Sequence, residues 1–427
     1  MQISPWPSLY IPDFPVEDYF PNGLPALRLN TTEGMQTFTG VKTRMYVCGI
    51  TPYDSTHLGH ASTYLTFDLI NRYIAAIGGE VHFVENVTDI DEPLLERAAR
   101  DGISWQELGL QQVELFQSDM TALHVIPPEY FVPATAAMTL VDSAISRMKE
   151  RGFVYEIEGD LYFDVSSFLP RLPIPHDEAV QIFSQRGGDP FRVGKRHPLD
   201  PVLWWAHKDG EPGWESSHGF GRPGWHIECC VISLRYLRGE NYLQDVSTLS
   251  EKNLIDIQGG GSDLLFPHHF MSGAQAEAIT GIEFAKAYVH SGMLGLDGEK
   301  MSKSKGNLLF VSKLLEKGVD PMEIRWALMS SKYSEDRMWT DSVLHGAREK
   351  VAKLRRVLSR SEVAPVKPLL RDLVEALSND LDTPTALAAI ERWCDLTERQ
   401  TTSEGNLMVD ESGLVSRAID SLLGLAL

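Results

Sequence analysis

The chain has 427 residues, of which 43% are hydrophobic and 23% charged, and its formal net charge is −20. That length allows about two to three domains of roughly 100–200 residues each, and the acidic balance excludes broad, sequence-independent attachment to nucleic acid, which needs clustered Lys and Arg. No stretch approaches the roughly 18 apolar residues of a membrane span, the start lacks a basic region followed by an apolar core, and four scattered cysteines, Cys48, Cys229, Cys230 and Cys394, do not make a disulfide scaffold.

After an N-terminal extension over residues 1–40, the run RMYVCG, Arg44 to Gly49, is a short apolar stretch ending in turn chemistry. HLGHASTYLTFDLINRYIAAIGG follows, with apolar residues at helical spacing and glycines at its end. EVHFVENVTDID reads as the next strand. Strand, helix, strand in this order predicts a Rossmann-like parallel α/β sheet with ligands at the carboxyl ends of its strands. Residues 151–222 hold turn-rich, mixed strand signals (GDLYFDV, RGGDP, DGEPGW) and read as a subdomain inserted into that sheet. The alternation resumes with NLIDIQGGGSDLLFPHH and AKAYVHSGMLGLDGEKMSKSKGN, so the catalytic sheet domain is expected over residues 41–150 and 223–320. From about Asp320 only helical periodicity is visible, and residues 321–427 are expected to form a helical bundle. Reduced thiols in a cytoplasmic protein complete the expectation.

Two motifs carry chemistry. HLGH, His57 to His60, opens the helix after the first strand, where unpaired N–H groups and the helix dipole favour anions. His57 and His60 are three apart and share a helical face, and Gly59 lets a flat base pack against bare backbone. Alone, this pattern reads equally well as capping and surface histidines. KMSKS, Lys300 to Ser304, lies in a glycine-flanked loop beyond the last strand. Its two ammonium groups, Lys300 and Lys303, can close over a triphosphate and stabilise charge growing on the α-phosphate and the leaving pyrophosphate. With both motifs in this order on this topology, the chain resembles the class I aminoacyl-tRNA synthetases. The resemblance implies ATP-dependent adenylation of a carboxylate, with Mg²⁺.

The thiols narrow the choice. Cys48 ends the first strand in YVCGITPYD, Cys229 sits in RPGWHIECC and His268 in GGGSDLLFPHH, all in segments assigned to the ligand edge of the sheet. Two thiolates and an imidazole are good Zn²⁺ ligands, and three protein ligands leave a position open. Taken singly, Cys229 reads as a small buried hydrophobe and His268 as a satisfied core histidine. Together with CGITPYDSTHLGHASTYLTFD, VENVTDID and GRPGWHIECC they resemble the cysteinyl branch, in which zinc holds the substrate sulfur. The register of that resemblance selects Cys229 over Cys230 and His268 over His269. The same branch follows its two histidines with Glu-Asn-Glu, the second glutamate being a fourth ligand. Here Phe270 and Ser272 stand instead, and a neutral hydroxyl is a poor ligand.

Further departures point the same way. The tail after KMSKS is short for an anticodon-reading module, SQRGGDP replaces the usual insertion sequence, and Pro52 and Thr56 differ from the tRNA enzymes. In these features the chain resembles the mycothiol ligase family, which joins L-cysteine to an amino sugar carried on inositol. The resemblance implies one Zn²⁺ per chain on Cys48, Cys229 and His268, ATP across His57, Gly59 and His60, and cysteinyl-adenylate as intermediate. It also implies that Gly49, Ile50 and Thr51 line the adenylate site beside Cys48, with Thr63, Asn86, Val87, Thr88 and Trp225. Gly261, Ser262 and Asp263 would serve the ribose and adenine, and Leu294 the adenine edge. The acceptor is glucosaminyl-inositol, for which Arg186 to Asp189 is a candidate contact segment; no tRNA and no membrane partner are expected, and the chain is expected to be a monomer. A cysteinyl-tRNA synthetase is the competing reading. A non-catalytic relative acting as a binding protein is the third, and the intact HLGH and KMSKS tell against it.

Overall fold

The computed structural model describes residues 3–54, 56–243, 252–296, 298–301, 307–399 and 408–427. Five parallel strands form the central sheet: β1 (Lys42–Ile50), β2 (Glu80–Val87), β3 (Tyr130–Pro133), and further along the chain two strands, Asn253–Gly261 and Glu283–Ser291, that lie on the other side of β1. Most of β1, from Met45 to Cys48, is buried without alternation, as expected of a parallel strand covered on both faces. Helix α1 (Leu58–Ala76) makes the crossover from β1 to β2.

An antiparallel sheet of β4 (Val154–Ile157), β5 (Asp160–Phe163), β6 (Val202–Ala206) and β7 (Gly221–Pro223) interrupts this sheet. Helix α2 (Glu92–Asp101) follows β2, and α3 (Trp225–Arg238) begins directly after β7. The strand Asn253–Gly261 is then β8, helix Phe270–Thr280 is α4, and Glu283–Ser291 is β9, giving the order β9–β8–β1–β2–β3. The chain moves outward from β1 in both directions, so the switch point falls between β1 and β8, where a ligand crevice opens beyond the strands' carboxyl ends. Gly259 in β8 has a packing reason: a Cβ there would lie 2.2 Å from the Phe67 ring of α1.

The C-terminal helices Pro321–Met329, Asp341–Leu358, Val366–Ser378, Thr383–Arg399 and Ser412–Leu423 pack on one another, and Pro321–Met329 and Ser412–Leu423 join them to α1. A buried charge cluster ties them down. Asp68 of α1 accepts from Arg72 Nε at 2.8 Å and from Arg325, while Arg325 Nε donates to Leu423 O at 2.7 Å and Arg72 Nη1 to Asp420 O at 2.7 Å. Burial alone would raise the Asp68 carboxyl, but the two guanidiniums hold it below its usual value. The tail is not wholly helical as the periodicity predicts. Arg337–Trp339 pairs with Leu294–Leu296, and Glu362–Val363 with Met408–Val409. Strands of two or three residues are too short to register as alternation. Among the described residues no helix is long and apolar enough to cross a membrane.

Candidate active site

Cys48, Cys229 and His268 converge at the switch point. Their ligand atoms all lie within 4.8 Å of one another and all three side chains are buried. Cys48 is brought by the end of β1 and Cys229 by the first turns of α3. His268 comes from the kinked segment Leu265–His269, where Phe266 is extended (φ −141°, ψ 136°) as the residue before a proline prefers. The Trp225 ring stacks on His268 at 4.2 Å and 25°, and His226 Nδ1 lies 3.0 Å from His268 Nδ1. That leaves His268 Nε2 buried, with no hydrogen-bond partner among the described residues, and available to the thiols. Buried polar atoms are rarely orphaned, so the atom fits a missing ligand.

The electrostatics suit a thiolate site. Burial pushes the Cys48 thiol well up. Burial acts the same way on Cys229, yet the hydrogen bond with Cys48 and the charge of His268 bring it well below its usual value. These directions favour the thiolate on Cys229 with the Cys48 thiol as its hydrogen-bond donor, and a divalent cation would favour thiolates at both. Ser272 stays out of the group, because its Oγ donates to His226 O at 3.1 Å. Cys230 is also outside, since a helix turns about 100° per residue.

Sequence reasoning missed the atoms that back Cys48. Gln258 Nε2 donates to Cys48 Sγ at 3.2 Å, His269 Nε2 lies 3.3 Å from the same sulfur, and His269 Nδ1 lies 2.9 Å from His290 Nε2. The adjacent histidines thus serve different neighbours: His268 joins the trio, and His269, braced by His290 of β9, backs Cys48 together with Gln258 of β8. Only the doublet itself was a signal; the partners depend on strand order.

The residues expected beside Cys48 divide into lining and scaffold. Thr51 lines a cleft, whereas Ile50, Asn86 and Val87 are buried at 3%, 1% and 0%. Asn86 is a staple: its Oδ1 accepts from Gly49 N and from Tyr46 Oη, both at 2.9 Å, and its Nδ2 donates to Thr88 Oγ1 at 3.0 Å. Gly49 is needed here, because a Cβ would lie 1.6 Å from Asn86 O.

A second cavity of about 470 Å³ brings together His57, Gly59, His60, Thr63, Gly261, Asp263 and Leu294. It adds Ser291 and Met293, which neighbour Leu294, and Met301, the second residue of KMSKS, to none of which sequence reasoning assigned a role. Ser262 forms the turn between Gly261 and Asp263. The His57 and His60 rings stack at 3.8 Å and 24°, and His57 Nδ1 caps α1 by accepting from His60 N at 3.3 Å. Burial, then the neighbouring His60, pulls His57 down to about 2, and burial pulls His60 to about 4. Both rings are therefore neutral near pH 7 and act as hydrogen-bonding groups. The motif is laced to the far stem of the KMSKS loop, with Leu58 N donating to Leu309 O at 2.8 Å and Val311 N to Thr56 O at 3.1 Å. The Lys300 backbone pairs with Gly295; Lys303 lies outside the described residues.

Residues 35–349 match the family of class I (C) tRNA synthetase catalytic domains. In fold the chain is similar to Mycobacterium tuberculosis methionyl-tRNA synthetase in complex with methionyl-adenylate (TM-score 0.62, 18% identity, 90% of this chain and 92% of that one). It is likewise similar to an Agrobacterium radiobacter LeuRS in a ternary complex with tRNA (TM-score 0.64, 11% identity, 91% and 84%). At these identities the likeness concerns the fold alone. Curated relatives named L-cysteine:1D-myo-inositol 2-amino-2-deoxy-alpha-D-glucopyranoside ligase are 46% identical over 99% of both chains in Streptomyces coelicolor and 47% over 90% of both in Kribbella flavida. By that identity, across nearly its whole length, the chain belongs to the family of these ligases, the mycothiol ligases, built on the class I synthetase catalytic fold.

Proposed function

We propose that the chain activates L-cysteine with ATP as cysteinyl-adenylate and transfers the cysteinyl group to the 2-amino group of glucosaminyl-inositol, giving an amide, AMP and pyrophosphate. The observation that carries this reading is the buried Cys48, Cys229 and His268 trio at the switch point, with Ser272 turned to a backbone carbonyl. Zn²⁺ held by those three side chains would keep a fourth position for a thiolate, which selects cysteine over serine because a thiol ionises on the metal more readily and is the softer ligand.

The chain's own residues do the rest. Trp225, stacked on His268, walls the sulfur end of the site. His57 and His60, neutral and at the start of α1, hydrogen-bond the phosphates, while Lys300 and Lys303 stabilise charge on the α-phosphate and departing pyrophosphate. Mg²⁺ accompanies ATP. In the second step the acceptor amine attacks as the free base, so its ammonium first gives up a proton. The enzyme acts as a monomer in the cytoplasm and uses no tRNA.

The test supplies cysteine and ATP with either the amino sugar or tRNA and follows AMP. Release with the amino sugar alone is expected, and release with tRNA alone would overturn the reading. Cys48→Ser should lose zinc and cysteine-dependent pyrophosphate exchange together. Retention of both at the wild-type level would overturn the metal assignment.

A further inference from the structure

A cleft of about 460 Å³ lies between the inserted antiparallel sheet and the carboxyl ends of the central strands. It runs from Thr51, Trp225 and His226, beside the thiol trio, out to Trp205 on β6 and the Gly187–Gly188 backbone. It shares Tyr53 and Asp263 with the nucleotide cavity, so the two spaces adjoin. Its volume falls within the roughly 300–1,000 Å³ of small-molecule sites.

The charge of this cleft is one-sided. Asp91, Glu92, Glu96, Asp189 and Asp263 line it against two guanidiniums, and both guanidiniums are already engaged. Arg222 binds Glu92 at 3.0 Å and Glu211 at 2.9 Å; Arg186 donates to the carbonyls of Asp263 and Phe266. Asp189 is occupied too, by Lys195 Nζ at 2.9 Å and by the Tyr162 hydroxyl. Among the described residues Asp91, Glu96 and Asp263 have no ion-pair partner. Asp91 gives one carboxylate oxygen to the backbone N–H of Glu92 at 2.9 Å, capping α2, and its other oxygen has no protein partner among the described residues. Such a surface attracts an ammonium group and repels the phosphates of a polynucleotide.

We propose that this cleft is the acceptor subsite, in which Asp91 receives the ammonium of an amino sugar and the Trp205 ring carries the C–H face of a sugar ring. The proposal rests on the functional reading above and adds the residues that choose the second substrate. Trp205 is half-buried and held by cations, with Lys208 Nζ 4.9 Å and the Arg222 guanidinium 5.9 Å from its ring centroid, so it is a fixed apolar platform. The RGGDP segment then has a different task from the contact role expected of it. Arg186 is a strut that ties the inserted subdomain to the segment bearing Asp263, Asp189 anchors RGGDP within the subdomain through Lys195 and Tyr162, and the intervening backbone is left to face the sugar.

The test uses the zinc-loaded enzyme and the variants Asp91→Asn, Trp205→Ala and Trp205→Phe. Zinc content and cysteine-dependent pyrophosphate exchange report the first step, to which neither residue is assigned, and should stay within about twofold. The KM for the amino sugar should rise about tenfold or more in Asp91→Asn and Trp205→Ala, the loss expected for a charge-assisted hydrogen bond or a stacked ring. Trp205→Phe should restore much of it. A hydroxyl analogue of the acceptor, tested as a competitive inhibitor, should bind wild type more weakly than the amine by a margin that Asp91→Asn erases. An unchanged KM in both variants, or an intact preference for the amine in Asp91→Asn, would overturn the subsite alone. A wild-type enzyme that ignores the amino sugar would overturn the functional reading and the subsite with it.

Discussion

Replacing Asn86 with alanine should dismantle the proposed metal site without touching any of its three proposed ligands. The Asn86 carboxamide accepts from Tyr46 Oη and Gly49 N at 2.9 Å each, and the residue is 1% exposed, so water cannot replace it. Each buried donor left without a partner costs about 1–3 kcal/mol. Two of them amount to about 2–6 kcal/mol, a large part of the ~5–15 kcal/mol that stabilises a typical domain. The damage is local before it is global. Gly49 follows Cys48 directly, and the Tyr46 hydroxyl is within hydrogen-bonding reach of Cys229, so both sulfurs lose their registration. The expected outcome is a lower zinc stoichiometry after dialysis against a weak chelator, with an unfolding midpoint several degrees lower. Asn86→Asp keeps an acceptor for both donors, and the Thr88 hydroxyl can turn to donate to it. It should therefore hold more zinc than the alanine variant. Full zinc occupancy and an unshifted midpoint in Asn86→Ala would refute the stapling argument.

The remaining predictions probe the same centre from other sides. Ser272→Ala removes only a hydroxyl that serves His226 O, so it should cost about 1 kcal/mol in stability and leave zinc content unchanged; loss of zinc would show that Ser272 is a ligand after all. Lys303→Ala should slow pyrophosphate exchange by about 10²–10³-fold, the scale of removing one transition-state donor, while metal content stays at the wild-type level. Burial holds both His60 and His290 at about 4, below the ~6.5 of an exposed imidazole, so the folded state binds fewer protons than the unfolded one. Stability should then be intact above about pH 6.5 and fall as pH drops from there toward 4, with a slope approaching about 1.4 kcal/mol per pH unit for each ring. Denaturant titrations at pH 7, 6 and 5 would check this, and His60→Gln should flatten the slope by one proton's worth.

What the sequence disclosed follows from how local each signal is. HLGH and KMSKS are short, and their chemistry is written in consecutive residues. The parallel sheet announces itself because β1 is apolar along its buried length and α1 follows it at once. Cys48, Cys229 and His268 could be joined only through a family resemblance, because nothing in their spacing brings three distant segments together. The supports of Cys48 were hidden for a sharper reason. Gln258 and His269 reach that sulfur because β8 pairs with β1, a choice of strand order that no window of sequence contains.

The same strand order explains why chemistry collects where it does. Because β8 and β2 lie on opposite sides of β1, the end of β1 is the one place touched by the loops of both halves of the sheet. Cys48 stands there; β2 contributes Asn86 to fix it, β8 contributes Gln258 and leads to both histidines, and α3 arrives from the inserted sheet with Trp225 and Cys229. The inserted subdomain is then more than an appendage: its last strand, β7, delivers the second thiol, and Trp205 on β6 lines the cleft beside it. Because α3 starts where β7 ends and packs on the central sheet, Cys229 stands at the joint between the two sheets, and the proposed acceptor cleft opens beside that joint.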